Sequence, residues 1–224
     1  SDWLRASLDE ALPLLGAKLL GPLAAALRSS LQMEPSGSGD PRHIVLIPTG
    51  RLSLLPLHAA QYAVDNRGVC FLDEFVVSYA ISATALAKAR QETQLRSNAP
   101  LRLVGVGNPL PESLAAGEDR PGSLPFARAE LESIAEMLPR GAVQTFYEHQ
   151  ATRQTLLDAL PGANLVHLSC HGRFRADDPL ESGLLLADGE LTLRDIMAPG
   201  LTALSACRLA VLSACQTAIQ DFGN

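Results

Sequence analysis

Two residues of this sequence have the chemistry of a nucleophile and a base, and each follows an apolar stretch. His171 comes directly after residues 164–170, and Cys215 comes directly after residues 209–214. A thiol of ordinary pKa is mostly protonated at neutral pH, but a neighbouring imidazole can accept its proton and later return it to a leaving amine. This pair of residue types is therefore suited to acyl transfer.

The spacing of the two residues allows them to meet. They lie 44 positions apart (215 minus 171), which is enough chain for a hairpin, a helix and a return to a neighbouring strand. Parallel sheets place their chemistry at the carboxyl ends of the strands, and both residues follow predicted strands. The backbone N–H groups of Gly172 and Cys215 are candidate donors to an oxyanion, because glycine leaves room for a substrate carbonyl.

The elements that must position these residues alternate between strand and helix patterns. Continuous apolar runs predict buried strands, and amphipathic periodicity predicts helices. Strands are predicted at 43–48, 101–107, 143–147, 164–170 and 209–214, helices at 82–94, 127–138 and 152–160, and a hairpin around 188–189. This alternation predicts an α/β fold with a mostly parallel sheet and helices on both faces.

The first 40 residues are predicted to form a helical N-terminal segment and a flexible loop. Apolar residues recur at helical spacing up to about residue 31, and Pro13, Gly21 and Pro22 are expected to divide them into two or three short helices. Residues 41–224 are then expected to form one domain, truncated soon after the strand that precedes Cys215. An excised fragment and one subunit of a processed enzyme both fit this pattern.

Composition narrows the expected partners. The net charge is -6 and the basic residues are scattered, so nucleic acid is not an expected direct partner. The four cysteines have irregular spacing without a CxxC pair, which favours free thiols in the cytoplasm. No apolar run approaches the roughly 20 residues of a membrane helix, so no membrane partner is expected.

The sequence contains no complete motif for a metal or a nucleotide. No cluster of His and Cys has the spacing of a zinc site. Residues 105–109 (GVGNP) follow a predicted strand as a phosphate loop would, but they have no third glycine, no Lys-Ser/Thr pair and no helix directly after them. We therefore expect no metal, nucleotide or other cofactor.

Three stretches together resemble the CHAT peptidases of the caspase and separase clan. They are residues 165–172 (LVHLSCHG), 188–192 (DGELT) and 209–218 (LAVLSACQTA). Residues 44–59 and 124–130 are also similar to the opening strand and a helix start of that family. The resemblance implies a caspase-like fold and a cysteine endopeptidase that cleaves a protein substrate, with His171 and Cys215 as the catalytic pair.

The resemblance also bears on specificity and context. In caspase-like enzymes the residue two before the nucleophile lines the pocket for the side chain preceding the cut. That residue is Ser213 here, and its neutral hydroxyl gives no reason to expect strict basic specificity. The family further implies a regulatory upstream region or sensor protein, a bacterial stress, defence or cell-death pathway, and a second chain or C-terminal segment that completes the fold.

Alternative interpretations stay open. A catalytically silent CHAT-like interaction or scaffold module would retain His171 and Cys215 without aligning them. A Cys215 thiol that reacts quickly and selectively would argue against this interpretation. A redox sensor would need Cys207 and Cys215 within bonding reach, and reversible disulfide formation under mild oxidant would support it. From packing alone, Cys170 and Cys207 are expected to be buried thiols, and His167 a hydrogen-bonded core histidine.

Overall fold

A computed structural model of the chain describes residues 2–31, 42–96, 98–111, 121–175, 177–198 and 204–214, with side chains from residue 6 onward. The chain divides into two compact units, residues 1–91 and 92–224. The expected boundary at residue 40, and the expected truncation after the last strand, stay predictions.

The first unit begins with one continuous helical run. It comprises α1 (Asp2–Leu15), a π-helical segment (Gly16–Leu20) and α2 (Gly21–Leu31). The expected breaks at the prolines and glycines do not occur. The Gly21 N–H instead bonds to the Gly16 carbonyl, and this wider turn lies directly before Pro22, which has no N–H to donate.

This run also meets a simple criterion for a membrane helix. By length and composition alone, the described helical residues Ala6–Leu31 are sufficient to cross a membrane. A core helix or a signal sequence meets the same criterion. Here Leu20 and Ala24 pack in a buried cluster with Phe71 and Phe75, so part of the helix surface contributes to the core of its own unit. The absence of a membrane partner stays an expectation.

Short elements complete the first unit, and the last of them, a helix, continues in sequence past its boundary at residue 91. They are β1 (Arg42–Leu46), β2 (Gln61–Val64), β3 (Arg67–Cys70), α3 (Phe71–Glu74), β4 (Phe75–Tyr79) and α4 (Ala83–Leu95). β1 pairs in parallel with β4, and β2 pairs antiparallel with β3. The strand predicted at 43–48 exists, but it is only partly buried and, among the described residues, pairs with β4 alone. The expectation that this strand is buried is therefore wrong for most of its length.

The second unit follows the predicted alternation of strands and helices. Its elements are β5 (Leu103–Gly107), α5 (Ala127–Glu136), β6 (Val143–Tyr147), α6 (Arg153–Ala159), β7 (Leu165–Ser169), β8 (Gly172–Arg173), β9 (Gly183–Leu186), β10 (Gly189–Thr192), α7 (Leu193–Ile196) and β11 (Leu209–Ser213). The predicted hairpin around 188–189 is confirmed as β9 and β10.

Four of these strands form a parallel sheet in the order β11-β7-β5-β6. On one face, Val106 and Leu168 pack against Leu156 of α6 in a buried cluster. On the other face, Gly105 lies against Leu131 of α5. The predicted α/β fold, with a parallel sheet covered by helices on both faces and preceded by a helical segment, is confirmed.

The last strand differs from its prediction in burial. β11 was expected to be buried, but Leu209 is 55% exposed and Leu212 is 50% exposed. The reason is that β11 is an edge strand of the described sheet. Leu212 also lines an apolar cavity of about 340 Å³ together with Leu156 and Leu191. The described residues therefore cover the Leu212 side chain only in part.

The contact between β5 and α5 gives a test of the packing. A Cβ added at Gly105 would lie 2.4 Å from Cδ1 of the fully buried Leu131. We expect Gly105→Ala to lower the free energy of unfolding by about 1–3 kcal/mol, because a packed core does not accept the extra volume. The measurement is urea unfolding followed by circular dichroism.

The control for this prediction is Gly68→Ala, whose added Cβ meets no atom within 4 Å. It should change stability by less than about 0.5 kcal/mol. Leu131→Ala removes the clashing atoms, so the double variant with Gly105→Ala should cost less than the sum of the two single variants. Strictly additive costs would contradict the proposed contact.

Candidate active site

The strand order places a reversal point at the carboxyl ends of β5 and β7. The chain leaves β5 toward β6 on one side and then returns to the other side of β5 as β7. In open parallel sheets, ligands bind where the strand order reverses in this way, outside the carboxyl ends of the strands. Asn108, which follows β5, and His171, which follows β7, flank this position.

His171 has one ring nitrogen in a defined hydrogen bond. Its Nε2 lies 2.7 Å from the carbonyl oxygen of Gly122. Because a carbonyl oxygen only accepts, Nε2 carries the proton and donates it, which makes Nδ1 the basic nitrogen of the neutral ring. The backbone carbonyl of His171 accepts from the Leu185 N–H at 2.8 Å. The residue is therefore held both by its ring and by its backbone.

Gly172 begins β8 and pairs with Leu184 of β9. Since the neighbouring Leu185 N–H donates to His171, Gly172 occupies a non-hydrogen-bonded position of this antiparallel ladder. Its N–H consequently points away from β9. That orientation leaves the predicted oxyanion donor outside the β8–β9 ladder.

β11 brings the predicted specificity residue to the same edge of the sheet. Ser213 is the last residue of β11 and lies opposite Ser169, the last residue of β7. Because side chains alternate along a strand, Ser213, Ser169 and His167 share the sheet face that α5 covers. Cys215 lies outside the described residues, so the nucleophile and the second oxyanion donor stay predictions.

Asn108 organises the loop that contacts His171. It has a positive φ of 50°, and its Oδ1 accepts from the Leu124 N–H at 2.7 Å. Its Nδ2 donates to Ser123 Oγ at 3.1 Å, and its backbone N–H donates to the Ser169 carbonyl at 2.9 Å. Sequence reasoning missed this residue. The available signal was an asparagine at a strand end, since Asn tolerates positive φ and bonds to nearby backbone.

The glycines before Asn108 have a packing role. A Cβ at Gly105 would overlap Leu131, and a Cβ at Gly107 would lie 3.0 Å from the Tyr147 ring. These glycines therefore allow α5 and the Tyr147 side chain to approach the sheet closely. Packing accounts for the glycine spacing that resembles a phosphate loop.

A second polar cluster lies on the α5 face of the sheet. Ser169 Oγ donates to Glu130 Oε2 at 2.8 Å, and Glu130 Oε1 lies 3.4 Å from His167 Nε2. His167 is 5% exposed, but its Nε2 has no hydrogen bond within the described part of the chain. The expected burial of His167 is confirmed. A hydrogen bond at its Nε2 is not, because the contact with Glu130 meets the distance criterion of an ion pair but not the geometry of a hydrogen bond. The described residues contain no group of three or more His, Cys, Asp and Glu that could hold a metal ion.

The acidic residues that follow His171 have local structural partners. Glu190 of β10 binds Arg173, and it lies 3.4 Å from Arg175. Asp178 pairs with Arg194 at 3.2 Å, and Asp188 accepts from a backbone N–H at the start of α6. These contacts connect the segments between β8 and α7 with one another and with α6.

The two other cysteines of this unit are desolvated. Cys170 is 1% exposed in the core cluster, and burial raises its pKa to about 12. Partial burial also raises the pKa of Cys207. The expectation that Cys170 is a buried structural thiol is confirmed. The separation of Cys207 from Cys215 lies outside the described part of the chain, so the redox alternative stays a hypothesis.

Burial of Cys170 predicts a protected thiol next to His171. At pH 8, a thiol with a pKa of about 12 is ionised in only about one molecule in 10,000, and the thiolate is the reactive form. We expect native Cys170 to react with iodoacetamide at least about 100-fold more slowly than in the urea-unfolded chain, as measured by peptide mass spectrometry. Since the pKa is raised, the protection should persist from pH 7 to pH 9. Equal rates in the two states would show that Cys170 is accessible.

Comparison with known proteins agrees with this architecture. The family model described as CHAT domain matches residues 9–223, which is nearly the whole chain. No curated protein matches it significantly. The parallel sheet, its helices and the N-terminal helix are consistent with the caspase-like fold, and CHAT domains are related to caspase-like cysteine peptidases. The chain therefore belongs to the CHAT domain family.

Proposed function

We propose that this protein is a cysteine endopeptidase that cleaves a protein substrate through Cys215 and His171. Cys215 is the nucleophile and His171 is its base. The N–H groups of Gly172 and Cys215 stabilise the oxyanion, and Ser213 lines the pocket for the side chain preceding the cut.

The register of the two strands carries this proposal. β7 and β11 are adjacent and parallel, and Ser169 pairs with Ser213, a separation of 44 positions. His171 and Cys215 each lie two positions further along and have the same separation. A nucleophile and a base that follow paired strands in equal register emerge at the same edge of the sheet, which favours their direct contact.

The environment of His171 supports its role as a base. Its Nε2–H is engaged by the Gly122 carbonyl at 2.7 Å, which leaves Nδ1 to accept the thiol proton. A third group that orients the base is a recurrent part of nucleophile–base pairs. Here that group is a backbone carbonyl, which fixes the tautomer without adding a charge.

The reaction proceeds by acyl transfer. His171 Nδ1 takes the Cys215 proton, and the thiolate attacks the peptide carbonyl carbon to form a C–S bond. The oxyanion accepts hydrogen bonds from the two backbone N–H groups. As the C–N bond breaks, the protonated His171 gives its proton to the leaving amine, and water then hydrolyses the thioester. These steps require only groups of the chain and water, so no cofactor is proposed.

We base the biological setting on family membership alone. The proposed substrate is a protein, and the proposed setting is the cytoplasm of a bacterium, in a stress, defence or cell-death pathway under control of an upstream region or sensor. A second chain or a C-terminal segment is proposed to complete the fold. The exposed apolar side chains Leu209, Val211 and Leu212 of β11 support that last proposal, because an uncovered apolar edge favours pairing with another segment.

The decisive experiment compares labelling of the cysteines by a set of peptide vinyl sulfones. In the wild-type chain we expect fast labelling confined to Cys215, because this thiol is predicted to transfer its proton to the His171 imidazole. His171→Ala should slow the labelling by roughly 10²- to 10⁴-fold at pH 7, and Cys215→Ala should abolish it. Rates and sites are measured by mass spectrometry.

Two matched controls accompany this experiment. His58→Ala removes a histidine whose Nδ1 bonds to Tyr79 OH in the first unit, and Cys207→Ala removes a partly buried thiol of the second unit. Neither should change the rate at Cys215. Slow labelling spread over all four cysteines would instead favour the silent scaffold module, and a Cys207–Cys215 disulfide under mild oxidant would favour the redox sensor.

A further inference from the structure

We propose that Asn108 is a positioning residue for catalysis, because it holds the loop whose Gly122 carbonyl fixes the tautomer and orientation of His171. This inference rests on the proposed peptidase function. It assigns a role to an asparagine that acts on His171 through this loop.

The loop at residues 122–124 has little packing to hold it in place. Gly122 and Ser123 are exposed, and Leu124 is only partly buried. Among the described residues, this loop forms hydrogen bonds with Asn108 and His171, and the Leu124 carbonyl accepts from the Ala127 N–H where α5 begins. The position of the Gly122 carbonyl therefore depends strongly on the Asn108 side chain.

Asn108 is itself anchored to the strand that carries His171. Its backbone N–H donates to the carbonyl of Ser169, the last residue of β7, at 2.9 Å. The hydrogen bonds thus form a closed circuit from Ser169 through Asn108 and the loop to Gly122, and from Gly122 to His171. Because the two ends of this circuit, Ser169 and His171, are only two residues apart in the chain, the imidazole and its acceptor keep a fixed relative position.

The conformation of Asn108 explains why this residue type suits the position. Its φ of 50° lies in the left-handed region, where Asn and Gly are tolerated better than most residues. Only Asn of these two has a side-chain acceptor for the Leu124 N–H. A glycine at position 108 can therefore adopt the same backbone conformation but has no side-chain acceptor, whereas an aspartate keeps the acceptor for the Leu124 N–H.

The effect on chemistry follows from the imidazole tautomer. If the Gly122 carbonyl moves, Nε2 loses its acceptor, and the ring can place its proton on Nδ1 or rotate. Either change removes the lone pair that is required to accept the Cys215 proton. A small misplacement of a reacting group typically costs up to about 10²-fold in rate.

The test measures the rate of Cys215 labelling by the best vinyl sulfone between pH 6 and pH 10 in the full chain. We expect Asn108→Gly to be roughly 10- to 100-fold slower than wild type at pH 7. The deficit should shrink toward pH 10, where the thiol ionises without a base. Asn108→Asp keeps the acceptor for the Leu124 N–H and should recover most of the wild-type rate.

A second readout observes the ring directly. Long-range ¹H–¹⁵N correlation spectra of His171 should show the Nε2–H tautomer in the wild type and a mixture in Asn108→Gly. If Asn108→Gly does not fold, Leu124→Pro removes the same hydrogen bond from the loop side and should give the same change. A purely structural role would lower stability without changing the pH profile or the tautomer.

The outcomes separate this inference from the proposed function. Fast, His171-dependent labelling that is unchanged in Asn108→Gly, with an unchanged tautomer, would overturn the positioning role and leave the peptidase proposal intact. Wild-type labelling that does not depend on His171 would overturn the peptidase proposal. The loss of the Nε2–H tautomer in Asn108→Gly would then still establish the circuit as the structural restraint on His171.

Discussion

The arrangement of the candidate site depends on the pairing of β7 with its two neighbours. β7 lies between β5 and β11, and its residues 165–169 are in parallel register with both strands. A shift of one residue in either pair would move every side chain of the shifted strand to the opposite face. The register is well specified on the β5 side, because Val166 and Leu168 are buried beside Val104 and Val106. Apolar packing thereby determines which polar groups reach the carboxyl edge.

The two faces of the sheet differ in the side chains that β7 presents on them. The face toward α6 is apolar and contains Leu156, Leu168 and the buried thiol of Cys170. The face toward α5 contains the cluster of Glu130, His167 and Ser169. Since consecutive residues of β7 point to opposite faces, one short strand supplies both the core and this polar cluster. The α6 side of β7 packs in the core, and its α5 side presents two polar side chains, His167 and Ser169, beside Glu130.

Much of the second unit could be predicted from its sequence, because its strands are continuous apolar runs and its helices are amphipathic. The α/β class, the hairpin and the adjacency of the strands before His171 and Cys215 follow from such patterns. The exposure of β11 and the incomplete burial of β1 did not follow. An apolar run indicates a strand that can be buried, but its sequence does not show which elements cover it.

The polar contacts of the site were harder to predict for a different reason. The bonds from Asn108 to Ser123 and Leu124 join residues about 15 positions apart, in segments without periodicity. The contact of His171 with Gly122 spans 49 positions and uses a backbone carbonyl, which every residue type has. No residue pattern marks such an acceptor. Side-chain chemistry identified the candidate base, whereas its orienting group depends on loop conformation.

The contact between Gly105 and Leu131 has a consequence for how such a domain diverges. A Cβ at Gly105 would overlap the Leu131 side chain. A larger residue at position 105 therefore requires a smaller residue at position 131 if α5 is to keep its distance from the sheet. Among related sequences, these two positions are expected to change together, although 26 residues separate them along the chain.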